Sequence, residues 1–187
     1  MKNDPKTSFA DNEGRVLLLP PTRRDAEAIQ RLLNDSAISC LVCSTIAGLC
    51  DQVNRGAGAI LIAEETLTAD PDPFIQCIAR QPVWSDLPTI ILSRSGVELP
   101  KLTAVLPHLG NVNVIERPVR ITTLLSLVRS SLRGRQRQYE VRSHLLEQRR
   151  IEQQLRSSEE RLRLAVQTGK LGIWELDLPS GQMTCSS

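Results

Sequence analysis

The sequence predicts an α/β domain, with five parallel strands in a doubly wound sheet, followed by one long coiled-coil helix. Short apolar runs recur between residues 15 and 115, and segments with a helical pattern separate them. A further helical pattern runs from Ile121 to about Gln167, with Gly134 as the only residue that weakens it. Parallel strands covered by helices on both faces have this alternating pattern. Such sheets bind ligands at the carboxyl ends of their strands.

Five apolar runs predict the strands, at residues 15–19, 38–43, 59–63, 87–92 and 112–115. Each run is short and almost continuously apolar. Strands that alternate apolar and polar residues have one wet face, whereas continuous apolar strands are buried on both faces. The sheet is therefore predicted to form the middle of three layers.

Two of the connecting helices begin at recognisable caps. Thr22 with Asp25 three residues later is a capping box for a helix to about residue 33. Asp72 is predicted to cap a later helix, with Pro73 at the first helical position. The other predicted connecting helices are residues 45–53 and 102–109.

Composition limits the function classes. Of 187 residues, 41% are hydrophobic but only 3% are aromatic, so Leu, Ile, Val and Ala must form the core. A net charge of +2 does not favour a polyanionic partner such as nucleic acid. No apolar stretch has the length of a bilayer span, and residues 1–14 lack the apolar centre of a signal peptide. We expect a cytoplasmic protein without direct membrane insertion.

The five cysteines raise the question of a metal site. Cys40, Cys43 and Cys50 are close in sequence, but Cys40 and Cys43 lie on a predicted strand, where residues three apart point to opposite faces. The remaining candidates have no zinc-ligand spacing: Cys77, Cys185, His108 and His144. We expect reduced, buried thiols and no metal.

The long helix contains a heptad seam with several polar members. The seam positions are Val141, His144, Gln148, Ile151, Leu155, Ser158, Leu162 and Ala165. Upstream apolar residues follow a different phase, which indicates a stutter near residues 139–146. We expect a homodimer through this helix as a parallel coiled coil. The alternative is a helix packed on its own domain.

Arg133, Arg135 and Arg137 form a basic run at the start of this linker. Such a run could contact nucleic acid, but its residues spread around the helix and several glutamates follow. We therefore interpret the run as a solvated charged face.

Seven residues stand at the ends of the predicted strands: Pro20, Pro21, Ala63, Glu64, Ser93, Arg117 and Pro118. In this order, over about residues 14–132, the chain resembles the receiver domain of two-component response regulators. The resemblance implies strand order 2-1-3-4-5, as in flavodoxin-like folds. In that family the first strand ends in acidic residues that bind Mg²⁺, and the third ends in a phosphoaccepting aspartate. The fourth strand ends in Ser or Thr and the fifth in Lys-Pro.

The resemblance places Pro20 and Pro21 on the acidic pair, and Ala63 or Glu64 on the phosphoacceptor. It therefore implies a degenerate site without metal, cofactor or catalytic residues, because proline offers a divalent cation only its main-chain carbonyl. Without the aspartate there is no correctly placed nucleophile.

Ser93 matches the hydroxyl position, and Arg117-Pro118 matches Lys-Pro with Arg for Lys. If Glu64 occupies the pocket, it could pair with Arg117 and mimic an activated state. The alternative is an exposed loop glutamate. As in the family, Pro118 is expected to follow a cis peptide bond.

A second resemblance lies at the end of the sequence. Residues 158–162 and 172–181 resemble the entry helix and first hairpin of a PAS sensor domain, including the turn Pro179-Ser180-Gly181. In bacterial sensor kinases such a domain commonly follows a helical linker. We expect this chain to be the amino-terminal part of a longer protein.

These inferences predict four segments: a disordered tail (1–13), a receiver-like domain (14–132), a coiled-coil linker (133–167) and a truncated PAS start (168–187). The leading hypothesis is a non-phosphorylatable regulatory and dimerisation module of a sensor histidine kinase, signalling through the linker to PAS and kinase domains. The chain itself is expected to be no enzyme. Alternatives are a divergent receiver phosphorylated on Glu64 and a DNA-binding regulator, although no helix-turn-helix pattern is visible. The signal, the partner proteins and the response stay open.

Overall fold

The structure, a computed structural model, describes residues 12–94, 100–169, 173–177 and 182–186. It contains two compact units, Met1–Val141 and Arg142–Ser187. Most of the predicted disordered tail lies outside the described residues. None of the helices in the described segments combines the length and hydrophobicity of a membrane span.

The first unit contains a five-stranded sheet in which all neighbouring strands are parallel, in the order β2-β1-β3-β4-β5. This order and the doubly wound α/β fold confirm the prediction. The strands are β1 (Val16–Leu19), β2 (Cys40–Val42), β3 (Ala59–Ala63), β4 (Thr89–Arg94) and β5 (Val112–Arg117). Two strands extend beyond their apolar runs, so β4 includes Ser93 and β5 includes Arg117.

The helices are α1 (Arg23–Asp35), α2 (Ile46–Asn54), α3 (Glu64–Ala69), α4 (Asp72–Ala79), α5 (Pro100–Val105) and α6 (Ile121–Gly169). A 3₁₀ turn, Leu106–His108, follows α5. The Thr22 hydroxyl caps α1 by accepting a hydrogen bond from the Asp25 amide at 3.2 Å, as predicted. The predicted cap at Asp72 is wrong, because Asp72 is already helical. Pro71, whose backbone is helical at φ −78°, precedes it at the N-cap.

The core lies on both faces of the sheet. One face packs Leu17, Ile60 and Ile91 against α2 to α5. The other packs Leu18, Leu61 and Ile90 against α1 and the first turns of α6. Alternate residues of a strand point to opposite faces, so continuous apolar strands supply both layers.

The first part of α6 lies close to the sheet. Leu124 and Val128 are buried in the core beneath it. Gly58 permits the close approach, because a Cβ atom there would lie 2.4 Å from Cδ2 of Leu132. The contact continues beyond residue 132, as Arg135 and Tyr139 are also buried. The interpretation of the basic run as a solvated face is therefore wrong for Arg135, whereas Arg133 and Arg137 are exposed.

The second unit comprises the rest of α6 and an antiparallel hairpin, β6 (Ile173–Leu176) with β7 (Met183–Ser186). The hairpin agrees with the predicted change from helical to alternating pattern, and the predicted turn at residues 179–181 lies outside the described residues. All eight positions of the heptad seam are exposed.

Candidate functional site

The predicted site positions lie at the carboxyl ends of β1, β3, β4 and β5, which meet along one edge of the sheet. The strand register pairs Ala63 with Leu92 and Arg94 with Arg117. Pro20 directly follows β1, whose last residue lies beside Ile62 of β3. The predicted positions at this edge are Pro20, Pro21, Ala63, Glu64, Ser93, Arg117 and Pro118.

Glu64 is the first residue of α3 and is only 1% exposed. One carboxylate oxygen, Oε2, accepts a hydrogen bond from the Arg94 backbone amide at 3.1 Å. The other, Oε1, lies 4.0 Å from Nη2 of Arg94. The alternative interpretation of Glu64 as an exposed loop residue is therefore wrong. Because helix α3 begins directly after β3, its first side chain lies within the edge.

Glu65 is the partner of Arg117, which corrects the predicted pairing of Arg117 with Glu64. Arg117 Nη2 contacts Glu65 Oε1 at 2.5 Å, and Arg94 Nε lies 3.6 Å from the same oxygen. Arg117 Nε also donates to the Ser93 backbone carbonyl at 3.4 Å. Sequence reasoning missed Glu65 because the short helix α3 was not predicted. A second carboxylate directly after an apolar strand was the available signal.

The two arginines also determine the ionisation of Glu65. Burial alone would raise the pKa of this carboxyl, but the hydrogen bond from Arg117 and the charges of Arg117 and Arg94 hold the pKa below its usual value. Glu65 is therefore ionised at neutral pH. Among the described residues, this network joins two carboxylates to two guanidinium groups, so its charges balance.

These residues do not fit Mg²⁺. Pro20 and Pro21 contribute no carboxylate, and the carboxylates of Glu64 and Glu65 face arginine groups. A hard divalent cation needs several oxygen ligands in near-octahedral geometry. Across the described segments, no group of three His, Cys, Asp or Glu side chains is placed to hold a metal ion.

Two further predicted positions, Ser93 and Pro118, lie at the ends of β4 and β5. Ser93 is 4% exposed at the end of β4. The Arg117-Pro118 peptide bond is cis, as the resemblance implied.

Four of the five cysteines have described side chains, and all four are free thiols: Cys40, Cys43, Cys50 and Cys77. Burial raises the pKa of Cys40 to about 11, with a smaller contribution from Cys43. Burial also raises the pKa of Cys77 to about 12, and neighbouring Cys50 adds to the shift. At neutral pH both groups are protonated, which is the form that is inert to metals and oxidants.

No protein-family model and no curated protein matches this sequence. The fold is similar to solved receiver domains. The receiver domain of a signal transduction histidine kinase from Syntrophus aciditrophicus is 17% identical, with a TM-score of 0.54, and the match covers 65% of this chain and 91% of that one. A receiver domain of a sensor histidine kinase from Pseudomonas aeruginosa, with magnesium coordinated in its active-site cleft, is 15% identical (TM-score 0.54; 64% and 97% covered).

NtrX from Brucella abortus, solved in complex with ADP, is 14% identical with a TM-score of 0.54. That match covers 68% of this chain and spans only 28% of NtrX. At these identities the likeness establishes the fold. The sheet order and the solved structures together show that the first unit has the fold of a receiver domain.

Proposed function

We propose that this chain is a non-phosphorylatable, receiver-like regulatory module of two-component signalling, and part of a cytoplasmic, PAS-containing sensor histidine kinase. The observation that carries the proposal is the buried Glu64. It directly follows β3, in the region where receivers have the phosphoaccepting aspartate, and its carboxylate accepts a hydrogen bond from the Arg94 amide.

The chemistry of phosphoryl transfer supports the loss of phosphorylation. Transfer depends on positioning and on neutralising the charge of the transferred group, for which receivers use a metal. A phosphoryl group adds a charge of about −1.5 to −2. At this edge Arg94 and Arg117 already balance Glu64 and Glu65, and prolines replace the metal-binding pair. The added charge would have to compete with Glu64 and Glu65 for these two arginines.

The output of the module is proposed to lie in α6. Its seam residues are exposed, and four of them are large apolar side chains: Val141, Ile151, Leu155 and Leu162. A second copy of the chain would cover them in a parallel coiled coil. The hairpin after α6 and the PAS resemblance of residues 158–181 support a sensor domain as the next element. Kinase domains would follow it.

The test is transfer from a small phosphoryl donor. The protein is incubated with acetyl phosphate and Mg²⁺ and analysed by intact mass spectrometry under conditions that preserve acyl phosphates. We expect no phosphoryl adduct. The matched control is a variant with Pro20→Asp, Pro21→Asp and Glu64→Asp, which restores the acidic ligands and the nucleophile and should form the adduct.

A stoichiometric adduct on the unmodified chain that disappears in Glu64→Gln would contradict the proposal. It would instead favour the alternative function, a divergent receiver that accepts phosphate on Glu64.

A further inference from the structure

Arg135 is a buried arginine held by neutral groups. The residue is only 4% exposed. Nε donates to the Ala57 carbonyl at 3.2 Å, and Nη1 donates to Ser85 Oγ at 2.8 Å. Nη1 also reaches Gln138 Oε1 at 2.6 Å, and Nη2 donates to the Tyr139 hydroxyl at 3.2 Å. Neutral acceptors offset only part of the cost of desolvating a charge.

Two aromatic rings complete the environment of this guanidinium. Its central carbon lies 4.5 Å from the ring centroid of Tyr139 and 5.2 Å from that of Trp84. The two ring centroids are 5.5 Å apart. Cations are attracted to the faces of such rings, most strongly where water is excluded. We call Trp84, Arg135 and Tyr139 the arginine cluster.

The arginine cluster connects α6 to the amino edge of the sheet, opposite the candidate functional site. Ala57 precedes β3 and Ser85 precedes β4. At the opposite ends of these strands, Glu64 directly follows β3 and Arg94 is the last residue of β4. Tyr139 adds a second link, since its hydroxyl donates to the Ala57 carbonyl at 2.9 Å. Gln138 adds a third, accepting from the Asp86 amide at 3.0 Å and donating to its carbonyl at 2.9 Å.

We propose that Arg135 is a positioning residue that holds residues 132–141 of α6 on the domain, and that this segment detaches as one unit while the sheet stays folded. Two features favour a separable unit. Beyond Leu132, which packs on the apolar core, the segment depends on polar and cation–π contacts, whereas Leu124 and Val128 upstream are buried in that core. Its buried charge has neutral partners. Segments held by few apolar contacts open at lower free energy than the core. The detachment itself does not depend on the proposed function. Its role in signalling does, because that function places the output in α6.

Hydrogen exchange of the full chain, read by mass spectrometry, tests the proposal. Arg135→Met keeps an apolar stem but removes the charge and every donor. A detached segment loses the packing that stabilises its helical hydrogen bonds, so the helix opens more often. We therefore expect amides 132–141 to exchange faster by about 10- to 100-fold, the effect of losing hydrogen bonds to a buried charged group. Exchange in β1, β3 and residues 121–128 should not change. Arg133→Met is the matched control, since Arg133 lies two residues before Arg135 and is exposed. It should leave all rates unchanged.

Tyr139→Phe is a milder second variant, which removes only the hydroxyl between Arg135 and Ala57. It should accelerate the same amides by a smaller factor. Equal exchange of residues 132–141 in the Arg135→Met and Arg133→Met variants would overturn the proposal. So would faster exchange spread evenly over the domain in Tyr139→Phe. Neither result depends on phosphoryl labelling, so failure of this inference and failure of the proposed function are distinguishable.

Discussion

The carboxyl edge of the sheet and the surface of α6 beyond Arg142 differ in what their side chains contact. Among the described residues of the edge, Glu64 and Glu65 face Arg94 and Arg117 of the same chain. Along α6, Ile151, Leu155 and Leu162 are each more than half exposed.

The charged groups at the edge therefore have partners in the same chain, whereas the apolar side chains of the helix surface are left exposed. A receiver site that functions by phosphorylation must keep an open place for a cation and a phosphoryl group. The edge instead pairs Glu64 and Glu65 with arginines of the same chain. Burying each large apolar side chain of the heptad seam would contribute about 1.5–3 kcal/mol of stabilisation. The comparison supports the proposal that the module acts through α6.

The largest expected effect lies on the helix. Changing Leu155 and Leu162 together to Glu places charges in the heptad seam and should convert a dimer to monomers. Because each lost contact is worth about 1.5–3 kcal/mol, the dissociation constant should rise by at least about 100-fold. Analytical ultracentrifugation of the full chain measures it.

Leu146 and Leu164 supply the matched control for this experiment. Both are exposed like the seam leucines, but neither occupies a seam position. Changing both to Glu should leave the dimer intact. If the control pair dissociates the dimer and the seam pair does not, the contact uses another face of α6.

A smaller effect is expected at the edge. Glu64→Ala removes a buried acceptor and leaves the Arg94 amide unpaired, which should lower the free energy of unfolding by about 2–3 kcal/mol in urea titration. Glu27→Ala makes the same change at an exposed ion pair with Arg23, and should cost less than about 0.5 kcal/mol. Equal losses in the two variants would mean that Glu64 contributes no more than a surface glutamate.

The sequence predicted those parts of the fold that depend on local pattern. Apolar runs identified all five strands, and Thr22 identified the start of α1. Helix α3 was missed because residues 64–69 are too few to show a helical period, and with it the role of Glu65 was missed. The burial of Arg135 depends on Trp84 and Ser85, which are distant in sequence, so a basic run gave no sign of it.

The measurement that tests the central claim most directly is a Mg²⁺ titration of the full chain. Since the described part of the edge holds no free carboxylate pair, we predict no saturable heat of binding at millimolar Mg²⁺ and no shift of the thermal unfolding midpoint. The variant with Asp at positions 20, 21 and 64 should show both. Saturable binding to the unmodified chain that is lost in Glu64→Ala would contradict the account, because the edge would then hold a cation.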